Sequence, residues 1–249
     1  MSKKELAIGV LGAGGNIGHT HSQNIATYVD GARLAAVYDL NTERAEEVAK
    51  TYGAKVMASA EELIASPEID AVVIASWDGT HADLAVKCIA AGKPVFCEKP
   101  LATTLEDAKK VVEAEKASGK RLLQIGFMRR FDPDYIKMKK ILDSGELGAP
   151  LMAHCISRTR SHPKNHTTEQ HITNIAIHEI DICRWLLGEN LNEVAVRFPR
   201  ATCFAEGTCQ DPQLVLMQSD SGVLIDVEVS GNSYSGYEIL CELVCEKGT

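Results

Sequence analysis

The sequence predicts an α/β chain in which a doubly wound parallel sheet is followed by an α+β region. Five apolar runs of strand length, separated by amphipathic segments, occupy the first half of the chain. Buried parallel strands are typically continuous apolar runs, and their alternation with helices is the pattern of repeated β-α-β units. From about residue 126 the pattern changes to segments of alternating polarity, which indicates a mainly antiparallel sheet.

The elements of the first half are predicted in order along the chain. Strands are expected at "LAIGVLG", "RLAAVYD", "DAVVIAS", "PVFCEKP" and "RLLQIGF", with helices such as "NTERAEEVAKTYG" and "HADLAVKCIAAG" between them. The segment "TLEDAKKVVEAEKASG" predicts a helix that begins after Thr104 and ends at Gly119, because threonine favours helix starts and glycine favours helix ends. Its charged residues are expected to face solvent.

The second half is predicted from a different pattern. A helix around "DPDYIKMKKILDSG" precedes a strand near "PLMAHCISR", a polar loop and a helix at "ITNIAIHEIDICRWLLG". Alternating segments follow at "LVLMQSD", "GVLIDVEVS" and "YEILCELVCEKGT". These segments predict an open, mainly antiparallel sheet. Because the chain ends in or just after a strand, we expect the sheet to be incomplete or covered by another subunit.

Composition argues against several classes of partner. The net charge is −8 with no long basic run, so neither nucleic acid nor an anionic membrane is expected as the main partner. No apolar stretch approaches the roughly 20 residues of a membrane span, and the start "MSKKELAIGVLG" does not resemble a secretory signal. The eight cysteines include no C-x-x-C pair, which favours structural thiols such as Cys88, Cys97 and Cys183. We expect a cytoplasmic protein that binds a small molecule.

The segment "VLGAGGNIGHTH", residues 10–21, is a candidate nucleotide-binding turn. The usual fingerprint G-x-G-x-x-G would place its third glycine at position 17, but Ile17 stands there and the glycine is Gly18. The turn nevertheless lies between a predicted strand and an amphipathic segment. Gly12 and Gly14 would allow a tight turn, and Gly18 would let the helix approach the strand with its N-terminus facing a pyrophosphate. The alternative is a glycine-rich turn without a ligand.

Asp39 follows the next predicted strand, at the spacing expected of the acidic residue that binds an adenosine ribose. Its carboxylate would accept a hydrogen bond from the 2′-hydroxyl group and would repel a 2′-phosphate. We therefore predict NAD rather than NADP as the cofactor. Arg44 lies five residues further on and leaves NADP open as the less favoured choice.

The segment "CEKPLA", residues 97–102, is expected at the carboxyl end of a strand, where open α/β sheets bind their ligands. Because Pro100 ends the strand, Lys99 should project into the crevice. A lysine there can bind a substrate hydroxyl group or take its proton. A surface lysine at a strand end is the alternative interpretation.

A polar stripe marks the apolar helix of the second half. Asn174, His178, Asp181 and Trp185 are separated by four, three and four residues, which places them on one helix face. His178 is therefore a candidate general base, although the same side chains could instead satisfy one another in the core. No metal site is predicted, because H-E-x-x-H would need histidine in place of Ile182 and no cysteine and histidine spacing resembles a zinc site.

Taken in order, these motifs resemble one family. The pattern G-x-G-x-x-x-G-x-x-H from Gly12 to His21, then Asp39, "GTHADLAVKCIAAGKPVFCEKPLA", "GFMRRFDPDY" and "IHEIDICRWLLGE", is similar to the Gfo/Idh/MocA oxidoreductases, and most closely to their inositol 2-dehydrogenase branch. The resemblance covers nearly the whole chain. It implies an NAD-binding Rossmann domain over residues 1–124 and an α+β substrate and oligomerisation domain over residues 125–249, in a homo-oligomer such as a dimer or homotetramer.

The resemblance also implies an activity and a site. The activity is NAD(P)-linked oxidation of a secondary hydroxyl group of a cyclitol or sugar to a ketone, with Lys99 and His178 at the reacting carbon and Asn174 orienting the imidazole. The expected cofactor-binding residues are Gly12, Gly14, Asn16, Ile17, Gly18, Asp39, Arg44, Ser76, Trp77, His81, Glu98 and Lys99. The expected substrate-binding residues are Lys99, Met128, Arg129, Arg158, Asn174 and His178.

Three departures from the family pattern bear on activity. Inositol dehydrogenases usually carry aspartate four residues before the histidine, where this chain has Asn174, which brings no negative charge to stabilise an imidazolium. Ser157 and Thr159 flank Arg158 where histidine and asparagine are expected, which indicates altered polyol contacts. Relatives also continue past "EKGT". A dehydrogenase of a different sugar, or a relative that binds NAD(H) without turnover, therefore remains the alternative.

Overall fold

The computed structural model describes residues 5–162, 164–205, 207 and 209–249, and its contacts divide the chain into two units, Met1–Gly126 and Phe127–Thr249. The strands of the first unit are β1 (Leu6–Leu11), β2 (Ala32–Tyr38), β3 (Lys55–Val56), β4 (Ala71–Ile74), β5 (Val95–Cys97) and β6 (Leu123–Ile125). Its helices are α1 (Asn16–Thr27), α2 (Thr42–Tyr52), α3 (Ala60–Ala65), α4 (His81–Ala90) and α5 (Leu105–Ser118), with a 3₁₀ turn at Asp78–Thr80.

The first unit is built on a six-stranded parallel sheet with the order β3-β2-β1-β4-β5-β6. Successive residues of β1 bury opposite faces, since Val10 belongs to one hydrophobic cluster and Leu11 to another. Helices cover both clusters, which is why the strands are apolar throughout. The order reverses between β1 and β4, and this switch point is where doubly wound sheets bind ligands. The predicted doubly wound sheet is confirmed.

Local signals define the ends of α5. The Thr104 hydroxyl accepts a hydrogen bond from the Asp107 backbone N–H at 3.1 Å, and Gly119 ends the helix at a φ of +66°. These are the two positions that the sequence predicted, because a threonine cap satisfies an otherwise unpaired N–H group and glycine adopts the left-handed conformation without a Cβ clash.

The second unit begins with a 3₁₀ turn at Met128–Phe131, which leads into α6 (Pro133–Ser144). A π-helical segment at His171–Ala176 runs directly into α7 (Ile177–Leu187). The strands are β7 (Pro150–Arg158), β8 (Leu191–Arg197), β9 (Gln213–Ser219), β10 (Leu224–Ser230) and β11 (Glu238–Cys245). Among the described residues, no helix is both long and apolar enough to cross a membrane.

The five strands of the second unit pair in the order β11-β7-β10-β9-β8. β7 and β10 are parallel and the other three pairings are antiparallel, so the predicted mainly antiparallel sheet is confirmed. The helices bury one face of this sheet, with Ile182 and Leu186 of α7 packed in the same cluster as Cys155 and Val227. The other face is open.

Two details differ from the sequence prediction. The expected single helix over "ITNIAIHEIDICRWLLG" consists of a π-helical segment and an α-helix, so its residues do not follow one regular helical spacing. Strand β8 was not predicted, because its side chains are mostly exposed and its sequence, "LNEVAVR", alternates only weakly.

Candidate active site

The glycine turn after β1 is tightly enclosed by backbone. Gly12 has a φ of +84°, and a Cβ atom on it would lie 2.5 Å from the Ser76 Cα atom. A Cβ atom on Gly18 would lie 2.0 Å from the Gly12 carbonyl oxygen. These distances permit only glycine, so the one-residue displacement of the third glycine still lets α1 start immediately behind the turn.

Asp39 is fixed against the same turn. Its Oδ2 atom accepts a hydrogen bond from the Gly14 N–H at 2.8 Å, and its Oδ1 atom accepts one from the Asn41 N–H, also at 2.8 Å. The Arg44 Nη1 atom donates to the Gly14 carbonyl oxygen at 3.4 Å. Because each carboxylate oxygen keeps further acceptor capacity, Asp39 is held in place and can still accept hydrogen bonds from a ribose.

A cavity of about 560 Å³ lies at the carboxyl ends of β1, β2 and β4. Its lining includes four of the predicted cofactor-binding residues, Gly12, Asp39, Ser76 and Trp77. A second hollow of about 300 Å³ is lined by Gly14, Asn16 and Arg44. Ile17 is exposed at the start of α1. The larger cavity has the size of a small-molecule site, and its donor and acceptor groups suit a nucleotide.

Glu98 and Lys99 directly follow β5. The Glu98 carboxylate lies 2.8 Å from the His21 Nε2 atom and accepts the Lys99 N–H at 3.2 Å. Burial raises the pKa of Glu98, but the hydrogen bond from His21 and the neighbouring Lys99 outweigh it and hold that pKa below its usual range. Glu98 therefore stays ionised. His21 was part of the family pattern but was not predicted as a site residue. Its position one helical turn after Gly18 could have indicated that it lies near the glycine turn.

His81 is buried at the start of α4. Its Nδ1 atom lies 2.7 Å from the Pro100 carbonyl oxygen and its Nε2 atom lies 3.0 Å from the Ser76 carbonyl oxygen. The ring therefore ties the loop after β4 to the loop after β5. The structure gives His81 a bracing role, whereas the sequence predicted cofactor binding.

In the second unit, Arg129 forms a buried ion pair with Glu179. The Arg129 Nη1 atom donates to the Glu179 carboxylate, and both side chains are almost fully enclosed, at 6% and 1% exposure. Burial raises the pKa of Glu179, although Arg129 opposes that effect. The Arg129 Nη2 atom also lies 3.5 Å from the Ser157 hydroxyl oxygen. The guanidinium predicted to bind substrate is therefore directed into the protein.

Arg130 forms a second pair, with Asp181. Its Nε atom donates to Asp181 Oδ2 at 2.8 Å, and its Nη2 atom donates to Oδ1. Asp181 was predicted to share a helix face with His178, and both lie three residues apart on α7; the structure adds that Asp181 pairs with Arg130. Sequence analysis also missed Glu179. The sequence does carry a trace of both pairs: the two neighbouring arginines of "RR" bind, in the same order, the two acidic residues of "EID".

Arg158, at the end of β7, joins three strands. Its Nε and Nη2 atoms bind the Glu228 carboxylate of β10 at 2.6 and 2.7 Å, and its Nη1 atom binds Glu238 of β11 at 2.6 Å. These carboxylates raise the pKa of Arg158 further. The side chain predicted to bind substrate is thus occupied with cross-strand ion pairs.

The remaining predicted residues lie on the 3₁₀ turn and on the helical segment. Met128 is exposed and lines a hollow of about 380 Å³ together with Tyr135 and Tyr237. Asn174 belongs to the π-helical segment and His178 is the second residue of α7, next to the buried Glu179. Both are half-buried. The Arg129 pair thus anchors the part of the helix that carries His178.

Both units match models of one family. Residues 6–127 match the oxidoreductase family with an NAD-binding Rossmann fold, GFO_IDH_MocA, and residues 135–249 match the GFO/IDH/MocA C-terminal domain. The chain is 45% identical to an inositol 2-dehydrogenase of Klebsiella pneumoniae over 98% of its own length and 72% of that protein. It is 46% identical to inositol 2-dehydrogenase 3 of Saccharopolyspora erythraea over 97% of its own length and 71% of that protein.

Crystal structures share the fold over the same extent. The myo-inositol dehydrogenase of Lactobacillus casei in complex with NAD(H) and myo-inositol superimposes with a TM-score of 0.93 at 35% identity, covering 98% of this chain and 72% of that one. The scyllo-inositol dehydrogenase of Lactobacillus casei with NAD(H) and scyllo-inositol gives 0.88 at 25% identity, covering 98% and 75%. The family resemblance, the fold class and the NAD-binding first domain are confirmed, and the chain belongs to the Gfo/Idh/MocA family of oxidoreductases.

Proposed function

We propose that the protein is an NAD-dependent dehydrogenase that oxidises a secondary ring hydroxyl group of a cyclitol, with inositol as the first candidate, to a ketone. The observation that carries this proposal is about 45% identity to inositol 2-dehydrogenases over 98% of the chain. The nucleotide-sized cavity beside Gly12 and Asp39 supports it independently. The alternative of a relative that binds NAD(H) without turnover is not favoured by these matches.

The first unit supplies the cofactor site. The turn at Gly12–Gly18 would hold a pyrophosphate at the N-terminus of α1, where unpaired N–H groups face an anion. Asp39 would accept hydrogen bonds from the adenosine ribose, and its negative charge selects NAD over NADP. The nicotinamide supplies a hydride acceptor when it is bound. Glu98, held ionised by His21, lies next to Lys99 in sequence and fixes the loop that carries it.

Proton transfer is assigned here from the family resemblance. His178 would be the base that takes the hydroxyl proton, and Lys99 would be the cation that binds a substrate hydroxyl oxygen. Asn174 orients the His178 imidazole through its amide oxygen. Since an amide carries no charge, it stabilises an imidazolium less than the aspartate usual in the family. A comparable aspartate-to-asparagine change lowers the rate about 10⁴-fold in serine proteases.

Residues of the second unit bear on which substrate the protein accepts. Arg129 and Arg158 act as positioning residues here, because both guanidinium groups are bound to carboxylates. Ser157 is buried beside Arg129, where the family usually offers histidine. Substrate contacts are therefore expected from Met128, Asn174, His178 and Lys99. This change favours a cyclitol or sugar whose hydroxyl pattern differs from that of myo-inositol as the second candidate.

We also propose a cytoplasmic homo-oligomer that is assembled through the open face of the second sheet. This face combines the exposed apolar side chains of Leu216 and Leu224 with the His154–Asp226 hydrogen bond of 2.5 Å. Exposed apolar groups interspersed with paired polar groups are typical of subunit interfaces. All eight cysteines are free thiols, which suits a reducing compartment.

The test is NAD reduction by the purified protein across a panel of inositol isomers, related polyols and simple sugars, with NADP alongside. Lys99→Ala serves as the inactive variant and Lys109→Ala, an exposed lysine on α5, as its matched control. Turnover with one polyol that only Lys99→Ala abolishes establishes the activity and names the substrate. The non-catalytic alternative is favoured if no compound of the panel supports NAD reduction, NADH still binds, and Asn174→Asp gains no activity.

A further inference from the structure

A cluster of imidazole and thiol groups lies in the second unit, outside the residues assigned to hydride and proton transfer. It combines His162 and His166 from the loop after β7, His171 at the start of the π-helical segment, and Cys209 ahead of β9. His171 is fully buried, and His166 and Cys209 are 9% and 6% exposed. Three separate segments of chain therefore converge on one buried polar spot.

The spacing of the donor atoms fits one metal ion. One donor atom from each of His162, His171 and Cys209 lies within 4.8 Å of the other two. The Cys209 Sγ atom lies 3.7 Å from the His171 Nδ1 atom. Zinc bonds of about 2.0 Å to nitrogen and about 2.3 Å to sulfur, at a tetrahedral angle, would place these two atoms roughly 3.5 Å apart. The Cys209–His171 pair thus already has nearly the spacing that tetrahedral coordination requires, and the His162 donor atom lies within 4.8 Å of both.

A carboxylate lies behind His171, as in the second shell of many metal sites. Asp211 Oδ1 is 3.2 Å from the His171 Nε2 atom, an ion-pair contact without hydrogen-bond geometry, and the Nδ1 atom faces Cys209. Asp211 itself accepts the Gly231 N–H at 3.0 Å and the Asn232 Nδ2 atom at 3.1 Å. Asn232 Nδ2 also donates to the His162 Nε2 atom at 2.7 Å, so this contact occupies that ring nitrogen. The Asp211–His171 contact has the form of a carboxylate–histidine–metal arrangement, which fixes the ring and raises its basicity.

His166 provides an independent indication of a ligand. Its ring stacks on His162 at 4.5 Å between centroids and meets His171 at 4.9 Å. Its Nε2 atom is buried and has no hydrogen-bond partner among the described residues. A buried nitrogen without a partner costs free energy, and such groups call for an explanation such as an ion.

Gly231 makes room for the cluster. A Cβ atom there would lie 2.5 Å from the His162 Cδ2 atom and 3.0 Å from the His171 Nε2 atom. Any larger residue would push the two rings apart. The backbone of the segment after β10 is therefore shaped around both histidines.

We propose that His162, His171 and Cys209 bind a divalent transition metal ion, zinc first, with the buried His166 packed beside the site. Mixed imidazole and thiolate donors are the set that zinc prefers. The ion clips the loop after β7, the π-helical segment and the segment before β9 together. The sequence analysis predicted no metal site, because the ligands lie far apart in the chain and follow no short motif.

The proposal is tested by metal binding to the full chain, which is independent of dehydrogenase activity. The protein is stripped with a chelator and titrated with Co²⁺ and then Zn²⁺. We expect one Co²⁺ per chain, a near-ultraviolet thiolate-to-cobalt charge-transfer band, and displacement of the cobalt by zinc. Less than one-tenth of an equivalent bound, or Co²⁺ bound without that band, overturns the proposal.

Variants locate the site. Cys209→Ser should abolish the charge-transfer band, and Asp211→Asn should weaken Co²⁺ binding about 10- to 100-fold. Cys203→Ser, at an exposed cysteine, is the matched control and should bind as the parent does. Circular dichroism checks folding, and His162→Gln, at a less buried position, replaces Cys209→Ser if that variant does not fold. Binding that survives both Cys209→Ser and His162→Gln overturns the assignment.

Discussion

The two units present their candidate functional groups in different ways. The first unit does so largely through backbone, with a glycine turn and strand ends whose positions follow from a parallel sheet. The second unit depends on side chains that partners distant in sequence hold in place, such as Arg129 on Glu179 and Arg158 on Glu228. Local pattern is therefore sufficient to find the first kind of site, whereas the second kind needs the tertiary structure.

The largest effect should come from breaking the buried pair of the second unit. Arg129→Met leaves Glu179 buried and unpaired, which we expect to lower the free energy of unfolding by about 3–5 kcal/mol. Arg130→Met is the matched control, since the Arg130 side chain is 38% exposed and its loss should cost less. Urea unfolding measures both. Equal losses in the two variants would mean that burial does not determine the strength of these pairs.

Replacing Glu179 as well should restore much of the lost free energy of unfolding. Arg129→Met combined with Glu179→Leu removes both charges, and replacing a buried pair by apolar groups is often close to neutral. If the double variant is as unstable as Arg129→Met alone, the packing of the arginine is what matters.

The next largest loss of stability is expected in the first unit, at the glycine turn. Gly18→Ala places a Cβ atom against the Gly12 carbonyl oxygen, and we expect a loss of about 2–3 kcal/mol in unfolding free energy together with weaker NADH binding. Gly15→Ala, whose Cβ atom would lie 3.5 Å from the same oxygen, should cost less than about 1 kcal/mol. A Gly18→Ala protein as stable as Gly15→Ala would show that the turn yields easily.

A smaller effect is expected at Asp39. Asp39→Asn removes the charge that a ribose hydroxyl would bind, so the Kd for NADH should rise about tenfold, the equivalent of one charged hydrogen bond. The Kd for NADPH should rise less or fall, because the repulsion of a 2′-phosphate is gone. Calorimetric titration measures both constants, with the exposed Asp30→Asn as control. An unchanged ratio of the two constants would contradict the assignment of Asp39.

The smallest effect concerns pH. The pKa of Glu98 is depressed in the folded chain, so its stabilising contribution is present above the carboxyl's ordinary pKa and is lost as pH falls through the folded value. Glu98→Gln should therefore be less stable than the parent near pH 7, by about 1 kcal/mol, and should match it once the pH has fallen below the folded pKa of Glu98. Urea unfolding at several pH values checks this, with the exposed Glu113→Gln as control.

How far the sequence predicts each unit follows from the range of the interactions involved. The bounds of α5 were predicted to the residue, because Thr104 and Gly119 act on their own helix. The parallel sheet was predicted because burial on both faces leaves a continuous apolar run. Strand β8 and the short β3 were missed, since neither shows a burial pattern that a strand template detects.

The candidate site was predictable where it depends on local turns. Gly12, Asp39, Ser76 and Trp77 line one cavity, as expected of the ends of neighbouring parallel strands. The pairs of Arg129 and Arg158 were missed, because their carboxylate partners lie 50 and 70 residues away along the chain. Helical spacing also could not identify the partner of Asp181, since only the tertiary structure brings the Arg130 guanidinium to it.

The π-helical segment has a consequence for how the protein can vary. A π-helical turn carries its hydrogen bonds one residue further than an α-helix, so it holds the equivalent of one inserted residue. Deleting one residue between His171 and Asn174 should convert the segment to regular α-helix and leave His171 nearly in its present phase relative to α7, because five α-helical steps turn the chain about as far as six π-helical ones. His171 would then stay beside Cys209 while His178 and Glu179 kept their phase. This segment can thus absorb the loss of one residue without displacing either the imidazole and thiol cluster or the helix that carries His178.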